Sequence, residues 1–479
     1  MQKKFVTNLA LLLFLNLLIK GFYILVIEVG VQNRVGTESF GTYFALLNFS
    51  FLLNILLDVG ITNFNNKNIA QNNHLLSKHF SSIVVLKLLL ACAYLFISLG
   101  IGLVIGYDMR LMKLFLYLGL NQFLISFVLY LRSNLAGLHL FKTDSAMSVL
   151  DRGFMILFCG FLLWSSWAPA HFDVMLFVYA QTASYVVQAL IVFFIVLRKA
   201  EFLRLKWDYP FALMILKKSF PFAVLVLLMT FYNRIDTVML ERMLPDGAQQ
   251  CGVYASAYRI LDATNMVAFL FAGLLLPMFA KMLKLQQPVE DMVKLATSLL
   301  IVPAIIIAVG SFTFRTEIMD KLYHDHVIES AAVFGKLMFC FVAISTTYIF
   351  GTLLTANGNL KEMNIMACSG IIINILLNVL LIPKFKATGS AYASLTTQFL
   401  TAMAQVFMVQ YIFRFRMNLR FLIALLIFGG LVFVIFSYSQ QLLPNWIMAL
   451  GTGTAVAFAT AFAFRLISIK GLVNIMKFG

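Results

Sequence analysis

The amino-acid sequence predicts an all-α polytopic membrane protein. Of its 479 residues, 62% are hydrophobic and only 12% are charged. The mean hydropathy is +0.92, and a soluble fold could not bury so much apolar surface. Apolar windows of about 20 residues, each long enough to cross a bilayer, recur along the whole chain. These observations predict about fourteen transmembrane helices, arranged as two six-helix lobes and two extra C-terminal helices.

The apolar windows give the position of each span in chain order. They begin near residues 6, 40, 81, 111, 147, 173, 219, 250, 291, 328, 363, 385, 419 and 443. The first window is about 22 residues long and is followed by no small-residue cleavage site, so we expect it to be retained as a helix. An even number of spans places both termini on the same side of the membrane.

The distribution of charge predicts which side that is. The net charge is +16, and most of the Lys and Arg residues lie in loops on the side of the N-terminus. The opposite loops are weakly acidic, above all residues 315–329. Because cytoplasmic loops are enriched in Lys and Arg, we expect a bacterial inner-membrane protein with both ends in the cytoplasm. Topology accounts for the basic charge, so we expect no nucleic-acid partner.

Two short matches predict an internal repeat. Residues 40–45 at the start of the second span resemble residues 251–256 at the start of the eighth, and residues 136–142 resemble residues 356–361. Six spans per copy keep the two copies in the same orientation, related by an axis along the membrane normal. The predicted domains are an N-terminal lobe at 1–200, a cytoplasmic amphipathic linker at 201–218, a C-terminal lobe at 219–414, and helices 13 and 14 at 415–479.

Ionisable side chains inside the spans are the candidate functional residues. A Lys or Arg at the centre of a membrane helix costs about 2.5–3.5 kcal/mol on insertion scales, so it is expected to face water, a partner or a ligand. Lys20 in the first span and Arg234 in the seventh occupy similar depths in the two repeats, beside Asn16 and Asn233. We predict that these four residues line a cavity.

Further charges complete this prediction. Arg259 and Asp262 are three residues apart and can neutralise each other on one helix face. Arg234 and Asp236 point in different directions, so we expect Asp236 to pair with another helix while Arg234 meets a ligand. Arg132 is placed to attract an anionic substrate as it enters. The predicted cavity is therefore cationic and attracts a phosphate or another anion.

Other charged residues have structural interpretations. We expect Lys87 and Lys336 to extend to the membrane surface and Asp58 to cap the segment that follows it. His324 and His326 have no third ligand nearby, and we predict no metal site. No nucleotide-binding or metalloprotease motif is present, and no loop is long enough to form a catalytic domain. We therefore expect a protein that is not an enzyme and has no cofactor.

Several motifs resemble a known family. Residues 33–43 together with Leu57–Ile61, and residues 233–236, 252–254 and 357–358 in the second copy, are similar to bacterial polysaccharide-unit (O-antigen or capsule) flippases. These belong to the multidrug, oligosaccharidyl-lipid and polysaccharide exporter superfamily. The resemblance implies two six-helix lobes around a cationic cleft. It also implies transport of an undecaprenyl-pyrophosphate-linked oligosaccharide from the cytoplasmic to the periplasmic leaflet by alternating access, for surface polysaccharide biosynthesis.

The resemblance also implies partners and an energy source. Membrane lipids and, at the periplasmic side, a polysaccharide polymerase and assembly proteins are the expected partners. A proton or sodium gradient is the expected energy source, with Asp262 or Asp236 as the candidate coupling residue.

Alternatives remain open at the level of sequence. A lipid II flippase shares the architecture and a cationic cavity. A cation-coupled drug or metabolite antiporter would carry an acidic residue in the first-lobe cavity, whereas the first span offers Asn16 and Lys20 and no carboxylate before Glu28. A membrane-embedded glycan polymerase would carry a large periplasmic loop, and a purely structural scaffold would tolerate replacement of all the buried cations.

Overall fold

The computed structural model describes residues 16–62, 65, 69, 75–138, 140–165, 172–200, 208–415 and 419–467. The described residues form helices and short connections and contain no strand. The chain divides into two compact units, residues 3–241 and 242–479. The all-helical fold class is confirmed, whereas the predicted lobe and linker boundaries remain a prediction.

The first unit contains seven long helices. Helix α1 is described from residue 16 and includes a π-helical segment, Tyr23–Glu28, followed by Val29–Val35. The others are α2 (Thr37–Leu52), α3 (Leu75–Ile105), α4 (Met109–Gly137), α5 (Phe141–Trp164), α6 (Val174–Lys199) and α7 (Tyr209–Met243), with a short helix at Ile55–Asp58 after α2.

The second unit contains seven more. They are α8 (Gly247–Lys284), α9 (Glu290–Thr313), α10 (Val327–Asn357), the helical segment Leu360–Phe413, α13 (Leu419–Leu442) and α14 (Trp446–Ala463), with a short helix at Arg315–Leu322. The helix Leu360–Phe413 is interrupted at Lys386, where the backbone leaves the helical region (φ 51°, ψ −133°). We name its two halves α11 (360–385) and α12 (387–413). The fourteen long helices of the described residues thus match the predicted spans one for one.

The length and hydropathy of the observed helices support the membrane assignment. Ten helices of the described residues are long and apolar enough to cross a bilayer, with Leu360–Phe413 counted once. The kink at Lys386 makes that helix two spans. Helices α1, α2 and α7 are not among these ten; α2 has only 16 residues, and α1 is described only in part. Many large apolar side chains are exposed on the helices, among them Leu426 on α13 at 77%, as expected of a surface that faces lipid.

Each unit has its own apolar core. In the first unit, buried side chains of α3, α4 and α6, including Phe80, Tyr130 and Val192, pack together with the beginning of α7. In the second unit, α13 and α14 pack against α9 around Val302, Ile306 and Phe436. The two C-terminal helices are therefore part of the second unit's core.

Candidate functional site

Helices α1 and α5 lie side by side in the first unit. The Asn16 side chain donates to Ser148 Oγ at 3.0 Å, and the Arg152 guanidinium lies over the Tyr23 ring, 4.7 Å from its centroid. Further along, a Cβ placed on Gly30 would lie 3.4 Å from Leu163. The contacting positions advance together on both helices, so the two helices are parallel and in register.

This register places two cations at the same level. Asn16, Lys20 and Tyr23 share one face of α1, as side chains four and three residues apart do on a helix. Ser148 and Arg152 share the corresponding face of α5. Because Asn16 contacts Ser148, Lys20 one turn later lies at the level of Arg152. The charges that act on Lys20 are those of Arg152, Asp151 and Arg132.

Lys20 is half-buried and lies in a charged environment without a direct anionic partner. Within the described part of the chain, its ammonium group makes no ion pair within 4 Å and no hydrogen bond. The sequence predicted Lys20 and Asn16 as cavity residues. The structure places both on the α1 face that meets α5.

Arg152 is the cation that the sequence did not single out. Its guanidinium donates to Tyr185 OH at 3.3 Å and lies 3.6 Å from Asp151 Oδ2, so its position is fixed by α1 and α6 as well as α5. On α6, one turn before Tyr185, the Gln181 side-chain amide donates to Tyr43 OH at 2.8 Å.

Arg152 was not predicted as a site residue because α5 begins earlier than the sequence indicated. The fifth span was expected near residue 147, which left Arg152 close to a cytoplasmic loop. Helix α5 begins at Phe141, a turn and a half earlier, and this places Arg152 well inside the helix. The polar residues Ser145, Ser148 and Arg152 recur at helical spacing on one face, and that pattern could have identified the longer helix.

Arg132 is held by an ion pair. Its Nε lies 2.8 Å from Asp144 Oδ1 in the first turn of α5, and both side chains are largely buried, at 20% and 16% exposure. Its charge still acts on Lys20. The proposed contact of Arg132 with an entering substrate remains a prediction, and that contact would compete with Asp144.

Arg234 and its neighbours lie on α7. The Arg234 guanidinium donates to Asn48 Oδ1 at 3.2 Å and lies 5.1 Å from the centroid of the Phe51 ring, so it is held against α2. Asp236 is buried, at 3% exposure, whereas Asn233 and Arg234 are half-buried. The difference in burial agrees with the expectation that Arg234 and Asp236 point in different directions. Their roles in substrate binding and ion coupling remain predictions.

In the second unit, Arg259 and Asp262 form the expected pair on α8. Arg259 Nη1 lies 4.0 Å from Asp262 Oδ2, and the side chains are 14% and 24% exposed. This pairing satisfies part of the charge of Arg259. Neither a substrate contact of Arg259 nor a coupling role of Asp262 is tested by this geometry. No cluster of three metal-ligating side chains occurs among the described residues.

The expectation that Lys87 reaches the membrane surface is wrong. Its side chain is 2% exposed and forms an ion pair with Asp58. The ammonium also donates to Leu57 O at 3.1 Å and to Ser126 Oγ at 3.0 Å. Asp58 accepts from the backbone N–H of Thr62 at 3.3 Å, so it also caps the following turn as expected. Lys87 is directed inward because it finds three acceptors inside the unit.

Comparisons with known proteins agree with this architecture. The family profile described as "Polysaccharide biosynthesis protein" matches residues 5–283. No curated protein matches the chain in sequence.

Solved structures share the fold at low identity. "Lipid II flippase MurJ, inward closed conformation" superposes with a TM-score of 0.71 at 14% identity, over 94% of this chain and 98% of that one. An inward-facing MATE multidrug transporter of the MOP superfamily gives 0.59 at 14% identity, over 83% and 97%. A MOP superfamily transporter from Pyrococcus furiosus, described as having a binding pocket of reverse polarity, gives 0.59 at 12% identity, over 85% and 94%.

Proposed function

Because the chain belongs to the polysaccharide biosynthesis protein family, we propose that it is a flippase for undecaprenyl-pyrophosphate-linked oligosaccharide repeat units. In this proposal the substrate moves from the cytoplasmic to the periplasmic leaflet of the bacterial inner membrane by alternating access. The fold, shared with transporters of the MOP superfamily, supports transport without chemical catalysis.

The observation that carries the proposal is the environment of Lys20. A Lys within a membrane-spanning helix is costly, and among the described residues this one has no hydrogen bond or ion pair to offset the cost. An anionic headgroup that visits Lys20 would supply the missing interaction. A pyrophosphate fits because charge-assisted hydrogen bonds to phosphate oxygens are among the stronger ones.

The remaining site residues have assigned roles within this proposal. Arg132, Arg234 and Arg259 contribute positive potential, and Asn16 and Asn233 bind sugar hydroxyls or phosphate oxygens. The polyprenyl chain stays in the lipid. A proton or sodium gradient drives the cycle through Asp262 or Asp236, and a polysaccharide polymerase receives the product.

A lipid II flippase is the second candidate, favoured by the similarity to MurJ over nearly the whole of both chains. Its substrate also carries an undecaprenyl pyrophosphate, so the same cationic residues could bind either substrate. The two candidates differ in the sugar and peptide that follow the pyrophosphate, and only transport measurements separate them.

The test is transport by purified protein in liposomes. A fluorescent undecaprenyl-pyrophosphate oligosaccharide, lipid II and a cationic dye are supplied separately, and the fraction reaching the opposite leaflet or lumen is followed. The Lys20→Gln variant is expected to slow flipping of the oligosaccharide about tenfold or more, the loss of a charged hydrogen bond, while Lys20→Arg retains most of the rate.

The matched control is Arg110→Gln. Arg110 is 79% exposed and lies 3.7 Å from Asp173, so its loss is expected to leave transport unchanged. Faster flipping of lipid II than of the oligosaccharide would support the second candidate. Transport of the cationic dye that persists in Lys20→Gln would contradict both and support an antiporter.

A further inference from the structure

The end of the second unit where α9 meets α10 carries two cations that the proposed function does not use. Arg315 begins the short helix Arg315–Leu322, which connects α9 to α10, and Lys336 lies in the third turn of α10. A Cβ placed on Gly335 would lie 2.9 Å from Arg315 Cδ, and Arg315 is the charged residue whose field acts on Lys336. Like charges brought together repel, so an anion bound between them would be stabilised by both.

No carboxylate among the described residues contacts these two cations, since neither forms an ion pair within 4 Å. Of the acidic residues in this region, Glu317 accepts from a side-chain amide of α13 at 2.7 Å, and Asp320 and Asp325 are exposed. Glu329 lies two turns closer to the start of α10, where it is 3.6 Å from His326 Nδ1. The pair of cations therefore keeps its positive charge.

The contacts that position the two cations leave donors available. Arg315 Nη1 donates to Phe312 O at 2.8 Å, and the guanidinium lies 4.8 Å from the centroid of the Phe312 ring. Lys336 Nζ donates to Ala332 O at 2.9 Å, one turn closer to the start of α10, and lies 5.2 Å from the centroid of the Tyr392 ring. An arginine has five N–H donors and a lysine has three, so each side chain keeps donors for a further acceptor.

The length of α10 indicates the depth of the pair in the membrane. Helix α10 has 31 residues and is about 46 Å long at about 1.5 Å per residue, whereas the hydrocarbon core of a bilayer is about 30 Å thick. A helix centred in the bilayer therefore extends about 8 Å beyond the core at each end. The carbonyl group of Ala332 lies about 8 Å along the helix from Val327. The Lys336 ammonium that donates to it is therefore at the boundary between hydrocarbon and headgroups.

Exposed aromatic rings lie on both sides of the pair. Tyr392 and Phe385 are exposed, and their ring centroids are 6.5 Å apart. On the side of Arg315, the Phe312 ring lies 6.4 Å from that of Phe433, which is also exposed. Aromatic residues are enriched where a membrane protein meets the lipid interface, so the surface around the two cations is suited to a lipid.

We propose that Arg315 and Lys336 form a binding site for the phosphate group of an anionic membrane phospholipid. The planar guanidinium binds two phosphate oxygens, the ammonium binds a third, and the acyl chains lie against the exposed rings. The bound phosphate relieves the repulsion between the two cations and holds the connection between α9 and α10 at the membrane interface. The site uses none of the residues assigned to transport, so it does not depend on the proposed function.

The experiment measures the binding of defined lipids to purified full-length protein in a nonionic detergent. Phosphatidylglycerol and phosphatidylcholine are titrated separately, bound lipid is counted by native mass spectrometry, and inorganic phosphate is added as a competitor. Wild type is expected to bind phosphatidylglycerol more tightly, because the choline group of the other lipid cancels the phosphate charge. Arg315→Gln and Lys336→Gln are each expected to weaken phosphatidylglycerol binding about fivefold, and the double variant about 25-fold.

Charge-conserving variants separate a binding role from a structural one. Arg315→Lys and Lys336→Arg are expected to retain most of the affinity, whereas damage to the packing would lower it in these variants as well. Lys321→Gln is the matched control, because it removes a cation from the same short helix at an exposed position, and it is expected to leave the affinity unchanged. Thermal unfolding of each variant without added lipid shows whether the fold is retained.

A loss of phosphatidylglycerol binding confined to the Arg315→Gln and Lys336→Gln variants would support the site. Wild-type affinity in the double variant would overturn it, and so would an equal loss in Lys321→Gln, which would reduce the effect to the overall charge of the protein. Displacement of the lipid by an equal concentration of inorganic phosphate would identify a free anion as the ligand and overturn the assignment to a phospholipid. Transport is not measured, so none of these outcomes bears on the proposed function.

Discussion

Lys87 and Asp58 form a buried ion pair, and we expect the loss of Asp58 to destabilise the protein more than the loss of Lys87. Lys87 is 2% exposed and Asp58 is 25% exposed. Replacing Asp58 with Asn leaves a fully buried ammonium without its counter-charge. Replacing Lys87 with Met leaves a carboxylate that still accepts from the N–H of Thr62 and partly reaches solvent. The Ser126 hydroxyl, 3.3 Å from Leu57 O, remains able to donate to that carbonyl.

These contacts set the expected magnitudes. Removing one partner of a buried ion pair costs about 3–5 kcal/mol, so Asp58→Asn is expected to lower the melting temperature by roughly 6–20 °C for a unit of this size. Lys87→Met is expected to cost about 1–3 kcal/mol, because the groups it leaves behind keep other partners. The double variant is expected to be less destabilised than the sum of the single variants, by about 1–3 kcal/mol.

The assay is thermal unfolding of purified protein in detergent, with unfolding in mixed SDS micelles as a second measure. The control pair is Arg110 and Asp173, which is exposed and 3.7 Å apart. Exposed pairs contribute about 0–1 kcal/mol, so Arg110→Gln is expected to change little. Additive single substitutions, or an Asp58→Asn variant as stable as wild type, would refute the assignment of a buried and coupled pair.

Two further outcomes are expected. Gly453→Ala should destabilise the packing of α13 on α14 by about 1–3 kcal/mol, because its new Cβ would lie 2.6 Å from Phe436. Gly451→Ala is the control in the same melting assay. Nothing lies within 4 Å of its new Cβ, so it should be neutral or slightly stabilising. The hydrogen bond from Lys386 holds the pKa of Asp246 below its ordinary value of 3.8, so the carboxylate stabilises the fold above about pH 4 and the benefit disappears as pH falls through the lower folded pKa. Asp246→Asn should therefore melt earlier than wild type at pH 6, and equal melting there or a difference that grows below pH 4 would contradict this.

Hydropathy alone determined the fold class and the helices. The cost of placing polar backbone and charge in lipid acts on each segment separately, so a linear scan of the sequence predicts fourteen spans, and it separates α11 from α12 close to the break at Lys386. The Arg259–Asp262 pair was also accessible, because both residues lie on one helix and their spacing sets their contact.

Contacts between helices could not be obtained in this way. Whether Lys87 turns outward or meets Asp58 depends on the rotation of α3 against its neighbours, and both outcomes fit the same hydropathy profile. Arg152 becomes a neighbour of Lys20 only because α5 begins at Phe141 and packs on α1 in one register. The sequence determined the all-helical fold class, the order of the apolar helices and the charges they carry. Tertiary packing decided which charges meet, because the energy of a buried charge depends on a partner that is distant in the chain.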